Sequence, residues 1–364
     1  MKVKDIVKSL QEWAPLSYQE SYDNSGLIVG DRHAEVNQVL ITLDVTEEVI
    51  QEAINNQCNL IIAHHPLIFK GLKKITPDHW VNRCIIQAIK HDIAIYAIHT
   101  NLDNIHTGVN HKLASILGLQ KTTILQPKTG LLSKLIAFVP TGNTTEVLQA
   151  LYNEGVGEIG NYDHCSFKVK GKGTFRPNEN AQPTIGHIHQ DETVDEDRIE
   201  VIFPTHLQRK VIQALKNAHP YEEVAYYLQS LENEHQEMGS GMIGELEHPL
   251  STQEFLQYVK ERLQLKTIRY TNTDSETIQK IAICGGSGSF LLSTAMAHQA
   301  DAFITGDFKY HDFFEGDKKI LIADIGHYES EVATKELLFD FLQENFANIA
   351  VRLTEVNTNP INYL

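Results

Sequence analysis

Over the first 125 residues, short apolar runs alternate with stretches in which apolar residues recur every three or four positions. VNQVLITLDV leads into TEEVIQEAINNQ, CNLIIAHH is followed by DHWVNRCIIQAIKH, and DIAIYAIHTNLD by TGVNHKLASILGL. The first member of each pair reads as a strand and the second as a helix. Strands that are apolar through most of their span and separated by helices predict βαβ units, with a sheet covered on both faces. The same alternation returns in the C-terminal part, where TIQKIAICGG, DAFITGD and KKILIADIGH read as strands, SFLLSTAMAHQ and SEVATKELLFDFLQENFA as helices.

Between residues 126 and 245 the pattern changes. KLIAFVPTG, HCSFKVKGKGTF, RIEVIFP and EEVAYYLQSL read as strands, TTEVLQALYNEG and HLQRKVIQALKNA as helices, in the order βαββαβ of the split-βαβ or ferredoxin-like plan. The polar, proline-containing RPNENAQPTIGHIHQDETVDED reads as a loop. The predicted architecture is an α/β domain in two halves, 1–125 and 246–364, interrupted by an α+β insert over 126–245.

Composition agrees with a folded protein. The 364 residues exceed the ~150 of a typical domain, so two or more units are expected. Hydrophobic residues are 42% and charged residues 21%, which argues against long disorder. No apolar stretch reaches the ~18 residues of a membrane helix. MKVKDIVKSLQEW alternates charge with apolar residues at helical spacing and lacks the layout of a signal peptide, so a cytoplasmic protein is expected. The net charge of -16, with no basic patch, makes nucleic acid an unfavoured partner. Cys58, Cys84, Cys165 and Cys284 form no CxxC pair and suggest neither disulfides nor a thiolate zinc site. The 18 histidines are more informative, because imidazole is the commonest protein ligand for transition metals.

NLIIAHHPLIF ends an apolar strand at His64 and His65, with Pro66 closing it. Adjacent strand residues face opposite sides, so two such histidines share a site only where the backbone turns. In open α/β sheets that place, beyond the carboxyl ends of strands, is where ligands bind. Alone, an HH pair is also compatible with one core and one surface histidine. Two further strand ends strengthen the metal reading: one carries His99, Thr100, Asn101 and Asp103, the other Gly326-His327 followed four residues later by Glu331. If a helix begins there, His327 and Glu331 lie on one face.

His64, His65, Asp103, His327 and Glu331 supply three imidazoles and two carboxylates, more than one catalytic zinc usually takes, and suit two ions bridged by a carboxylate. Nitrogen and oxygen donors without sulfur fit Zn, Mn, Fe or Co. Two ions ~3.5–4 Å apart acidify water and clamp phosphate or carbonyl oxygens, which is hydrolytic chemistry. CGGSGSF, residues 284–290, reads either as an anion cradle or as a tight strand-to-helix turn. Asp307, Tyr310 and His311 lie beyond a strand end, where they could orient ligands or act as acid or base. SYDNSGLIVGD, with Asp23, Asn24 and Gly26, reads as a turn able to line a cleft, and His187 and His189 as exposed loop residues.

IIAHHPLIF, HTNLD, TGD with YHD, and GHYESE, with YDNSGL near the N-terminus, resemble in this order the NIF-three-like family, whose members are commonly labelled GTP cyclohydrolase 1 type 2 homologues. The resemblance covers about 1–125 and 246–364. It implies a dinuclear metal site on His64, His65, Asp103, His327 and Glu331, and a toroidal homohexamer with its sites facing an internal cavity. Tyr22 departs from the Trp frequent before Asp-Asn in the family. The middle region is similar to the PII/CutA-like insert of some bacterial members, on the HPYEE motif (His219 to Glu223) and GEIGNYDHCSF. The leading expectation is a metal-dependent hydrolase of a small nucleotide, phosphoester or cyclic-amide substrate. Its rival is a non-enzymatic metal-handling or regulatory hexamer whose insert senses a ligand or partner.

Overall fold

The computed structural model describes residues 1–364 and resolves into two compact units. One joins Met1–Gln126 to Glu237–Leu364; the other is Pro127–Gln236. The second boundary falls nine residues before the expected 245/246. The reason is the strand His235–Leu250, whose Met242, Ile243 and Gly244 pair with Ile283, Ala282 and Ile281 and so tie residues 237–245 to the larger unit's core.

The larger unit contains two sheets. The first has five strands in the order Gly26–Val29, Ala94–Ala97, Leu60–Ala63, Gln38–Thr42 and Ala350–Leu353, parallel except at Gly26–Val29. Leu60–Ala63 and Ala94–Ala97 are buried at every position, as expected for strands covered on both faces. Helices Glu47–Asn55 and Trp80–Lys90 pack Val49, Ile50, Ala53, Cys84 and Ile85 against Leu40, Ile61 and Ile95. Thr46 caps the first of these helices by accepting from the Val49 N–H.

The second sheet runs Arg269–Tyr270, Leu321–Asp324, Ala302–Gly306, Ile278–Ser287, His235–Leu250 and Gln120–Lys128, with a parallel centre of three strands. Its faces carry separate apolar clusters, one around Ile281, Ile283, Ile304 and Phe255, the other around Ala282, Phe303, Ile322 and Leu291. Gln120–Lys128, Ala350–Leu353 and Arg269–Tyr270 are strands that the hydrophobic pattern does not announce, since each is short or largely exposed. Gly26–Val29 likewise emerges from a segment that reads as a turn, and HTNLD forms a one-turn helix, Thr100–Asp103, instead of extending its strand.

The smaller unit has the order βαββαβ. Its antiparallel sheet runs Phe167–Phe175, Glu192–Pro204, Leu132–Pro140, Tyr226–Leu231, and helices Thr144–Tyr152 and Gln208–Ala218 pack through Val147, Leu151, Val211 and Leu215 onto one face. Residues 192–197, read as part of the polar, proline-containing loop, instead begin the strand Glu192–Pro204 because they pair with Lys170–Phe175. No helix of the chain is long and apolar enough to cross a membrane.

Ile61→Ala, at a fully buried position of the first sheet, is expected to cost about 2–5 kcal/mol, because the rigid surroundings leave a cavity. Guanidinium unfolding followed by circular dichroism measures this loss.

Candidate metal centre

The parallel strands of both sheets deliver polar side chains to a common place in the larger unit. Leu60–Ala63 ends at His64 and His65, whose N–H groups continue the ladder to Thr42 and Leu43 carbonyls at 3.2 and 2.9 Å. Gln38–Thr42 delivers Asp44, Ala94–Ala97 delivers His99, Ala302–Gly306 delivers Asp307, and Leu321–Asp324 leads through Gly326 into the helix His327–Glu331. Helix spacing puts His327 Nε2 3.1 Å from Glu331 Oε2.

All four histidines are held in the same manner. His64 Nδ1 meets the Ile98 carbonyl at 2.9 Å, His65 Nδ1 the Asp44 carboxylate at 2.7 Å, His99 Nδ1 Asp23 at 2.8 Å and His327 Nδ1 Asp307 at 2.7 Å. Each Nδ1–H therefore donates outward, which fixes the tautomer and leaves Nε2 with its lone pair free. The Nε2 atoms of His65 and His327 are 3.4 Å apart. Glu331, 3% exposed, lies among the rings, with Oε2 2.9 Å from His65 Nε2 and Oε1 3.8 Å from His64 Nε2. Asp103 Oδ1 is 3.5 Å from His64 Nε2, and both atoms are buried without a hydrogen-bond partner. Three sets of donor atoms fall within 4.8 Å: His65, His327 and Glu331; His64, Asp103 and Glu331; His64, His65 and His99. Such a gathering of imidazole and carboxylate suggests metal binding.

The electrostatics point the same way. Burial opposes charge on His65, but hydrogen bonds and attraction from Asp44 and Glu331 outweigh it and raise its pKa to about 10. Burial likewise opposes charge on His327, which Glu331 and Asp307 nevertheless lift to about 9. Burial alone would raise Glu331; hydrogen bonds with His327 and His65, together with the attraction of His64, hold it well below the usual carboxylate range. Asp103 is raised by burial and by Glu331. The cluster thus demands positive charge at its centre.

A cavity of about 520 Å3 opens onto His65, His99, Asp103, His327 and Glu331, with Tyr22, Phe69 and Phe290 among its aromatic walls. Tyr310 and His311, expected as acid or base, do not line it. Asp307 adopts a left-handed conformation (φ 59°) and Phe308 is buried, so the chain turns outward and leaves Tyr310 72% exposed, stacked edge-on against His311. Nor does CGGSGSF offer an anion cradle. The Gly285, Gly286 and Gly288 N–H groups already donate to Asn110, Ser330 and Thr305. Its glycines serve packing: Gly286 has φ 65°, and a Cβ there would sit 2.3 Å from Glu331 Oε1.

A family model described as Duf34/NIF3 (NGG1p interacting factor 3) matches residues 1–360. The chain belongs to the DUF34/NIF3 family. A Bacillus subtilis (strain 168) relative named GTP cyclohydrolase 1 type 2 homolog is 37% identical over 366 residues, 99% of this chain and 98% of that protein. The crystal structure of a Bacillus cereus protein related to NIF3 superposes with a TM-score of 0.88 at 38% identity, covering 100% of this chain and 99% of that one. A Staphylococcus aureus protein of known structure gives 0.79 at 31% identity, again covering 100% and 99%.

In this NIF3 chain the five residues singled out in the sequence do meet, but the set is larger. His99 joins them, and Asp23 and Asp44 hold rings that the sequence does not associate with them. Asp23 also accepts from the Thr100 N–H at 3.0 Å and from the Ser25 hydroxyl at 3.0 Å. Burial resists charge on this carboxylate, but His99 and Thr100 outweigh it and lower the pKa. The signal available for Asp23 is the polar DNS turn, and for Asp44 a carboxylate just past a strand end.

Gly286→Ala is expected to lower stability by about 1–3 kcal/mol through its strained backbone and its clash with Glu331. Gly71→Ala, where a Cβ meets nothing within 4 Å, serves as the neutral control in thermal denaturation.

Proposed function

We propose that the chain binds two divalent metal ions at this cluster and uses them to hydrolyse a small nucleotide, phosphoester or cyclic amide. The observation that carries the reading is Glu331, whose Oε1 faces His64 and whose Oε2 faces His65 and His327. A carboxylate addressed on each oxygen by different imidazoles suits a bridge between two cations. One ion would be held by His65, His327 and Glu331, the other by His64, Asp103 and Glu331, with His99 within reach.

The residues fit such ions. The buried His64 Nε2 and Asp103 Oδ1 lack hydrogen bonds, a cost that a shared cation offsets. Nitrogen and oxygen donors suit Zn, Mn, Fe or Co. Cys284 lines the same cavity but belongs to none of the three donor groups, and burial, then Asp103 and Glu331, push its thiol pKa up.

When bound, two such ions supply Lewis-acid polarisation of a phosphoryl or carbonyl oxygen and acidify water. The chain's own residues do the positioning. Asp44, Asp23 and Asp307 keep the ring protons on Nδ1 and so direct Nε2 inward. Tyr22, Phe69 and Phe290 offer faces against which a planar base can stack, in a cavity of the size that takes small ligands. The name shared by the relatives, GTP cyclohydrolase 1 type 2 homolog, supports a nucleotide among the substrates. Assembly into a homohexamer accompanies this reading, supported by large apolar side chains left exposed outside the cavity, among them Ile75, Trp80, Ile89 and Phe314.

Elemental analysis of purified protein is expected to give two divalent ions per chain, and Glu331→Gln to lose at least one. Metal at 100 times its Kd is expected to stabilise the fold by about 2.7 kcal/mol, seen as a raised Tm that a chelator reverses. Metal-loaded protein screened against nucleotides, phosphoesters and cyclic amides is expected to turn over at least one of them. An unchanged rate in His65→Ala would overturn the hydrolase reading.

A further inference from the structure

The smaller unit has a cavity of its own, about 640 Å3, on the face of its sheet that carries no helix. Leu135, Ala137, Val139, Ile199 and Val201 turn toward the helices, so the alternate residues Phe138, Glu196 and Arg198 turn away from them and form the cavity floor. Chain following the strand Phe167–Phe175 covers this floor. It is tied down where the Gln182 N–H donates to Glu222 at 2.7 Å and the Thr184 hydroxyl to the Pro220 carbonyl at 2.8 Å. His219 explains the HPYEE turn: it is buried, with Nε2 donating to the Phe138 carbonyl at 2.9 Å and Nδ1 accepting from the Tyr221 N–H at 3.1 Å. The motif is a brace that sets Tyr221 as a wall of the cavity.

Glu196 is the unusual member of the lining. It is only 7% exposed and pairs with no Lys or Arg, because its neighbour Arg198 binds Glu200 at 2.9 Å. The hydroxyl of Tyr221, also buried, lies beside this carboxylate without completing a hydrogen bond of good geometry to it. A Cβ at Gly173 would sit 2.1 Å from Glu196 Oε2, so glycine there is what lets the carboxylate lie against the strand. A buried carboxylate without a cation is costly and calls for donors from a ligand. The surrounding Phe138, Phe175 and Tyr227 favour a flat π system over a hydrated metal ion; of the cations in the lining, Lys172, Arg176 and Arg198 are taken up by Asp195, Asp191 and Glu200, so that at the floor Glu196 disfavours an anion.

We infer that this cavity binds a planar molecule presenting two adjacent N–H donors on a π system, which Glu196 accepts in bidentate fashion while the aromatic residues hold its plane. Guanine-type heterocycles and guanidinium compounds share this edge. The Tyr221 hydroxyl, beside Glu196, meets the same edge of the ligand. The site is distinct from the histidine and carboxylate cluster in residues and in chemistry.

Isothermal titration of the full chain with guanosine and with N-acetyl-arginine amide tests the two sources of that edge, with inosine, which lacks the exocyclic amine, and adenosine as controls. At least one of the first two is expected to bind at a site that survives His65→Ala, in addition to any binding at the histidine and carboxylate cluster, and the controls to bind that site at least tenfold more weakly. Glu196→Gln is expected to weaken binding at least tenfold. Gly171→Leu, which fills open floor where a Cβ meets nothing within 4 Å, is expected to do the same without disturbing the fold. His65→Ala is expected to leave binding unchanged. No binding at millimolar concentration, equal binding of inosine, full affinity in Glu196→Gln and Gly171→Leu, or loss of binding in His65→Ala would each overturn the inference.

Discussion

A carboxylate removed from water is costly unless positive charge or donors surround it, and Glu331 is almost wholly buried among three imidazoles. Much of the larger unit's local structure follows from accommodating that group. The helix carrying it starts at His327, so the two side chains share a face. Ser330, one position before it, accepts from the Gly286 N–H at 2.9 Å and donates to the His327 carbonyl at 2.7 Å, pinning the helix start against a glycine turn that leaves room for the carboxylate oxygen. The imidazoles respond with raised pKa values at His65 and His327, and their outer nitrogens are in turn fixed by carboxylates and a carbonyl.

Parallel strands make this convergence possible. Within each sheet their carboxyl ends point one way, and the residues just beyond them are released from the ladder to carry side chains whose function conflicts with burial. Asp44, His64, His65, His99, Asp307 and His327 each occupy such a place, drawn from strands of both sheets. Rigid, fully buried strands behind them leave the backbone little freedom, which suits a site that tolerates only small displacements.

Residue patterns disclose the strands and helices that bury whole apolar faces, and the βαββαβ order of the smaller unit. They also disclose His64, His65, Asp103, His327 and Glu331, because each sits in a short polar burst after an apolar run. Asp23 is harder to recognise. It reaches His99 across 76 residues of chain from a turn whose composition is ordinary. Edge strands such as Gln120–Lys128 are hidden for a related reason: their pairing depends on a partner distant in sequence, and half-exposed residues lack a clear period. The strand His235–Leu250 escapes notice because its glycines and acids weaken the pattern, although close backbone approach at Gly239 and Gly244 accounts for those glycines. Tyr310 and His311 show how proximity in sequence differs from proximity in space. They stand next to Asp307 in sequence, but a left-handed residue and one buried phenylalanine turn them to the surface.

The division of the larger unit has a temporal consequence during synthesis. His64, His65, His99 and Asp103 belong to its first segment, whereas His327 and Glu331 lie in its second, beyond the whole of the smaller unit. At ~5–20 residues per second, the ribosome needs roughly 10–45 s to proceed from Asp103 to Glu331. For that interval the nascent chain carries the early histidines without the carboxylate that gathers them, while the intervening unit, uninterrupted in sequence, can fold as it emerges. The cluster is therefore among the last features of the molecule to exist, and a chain terminated before residue 331 never acquires it.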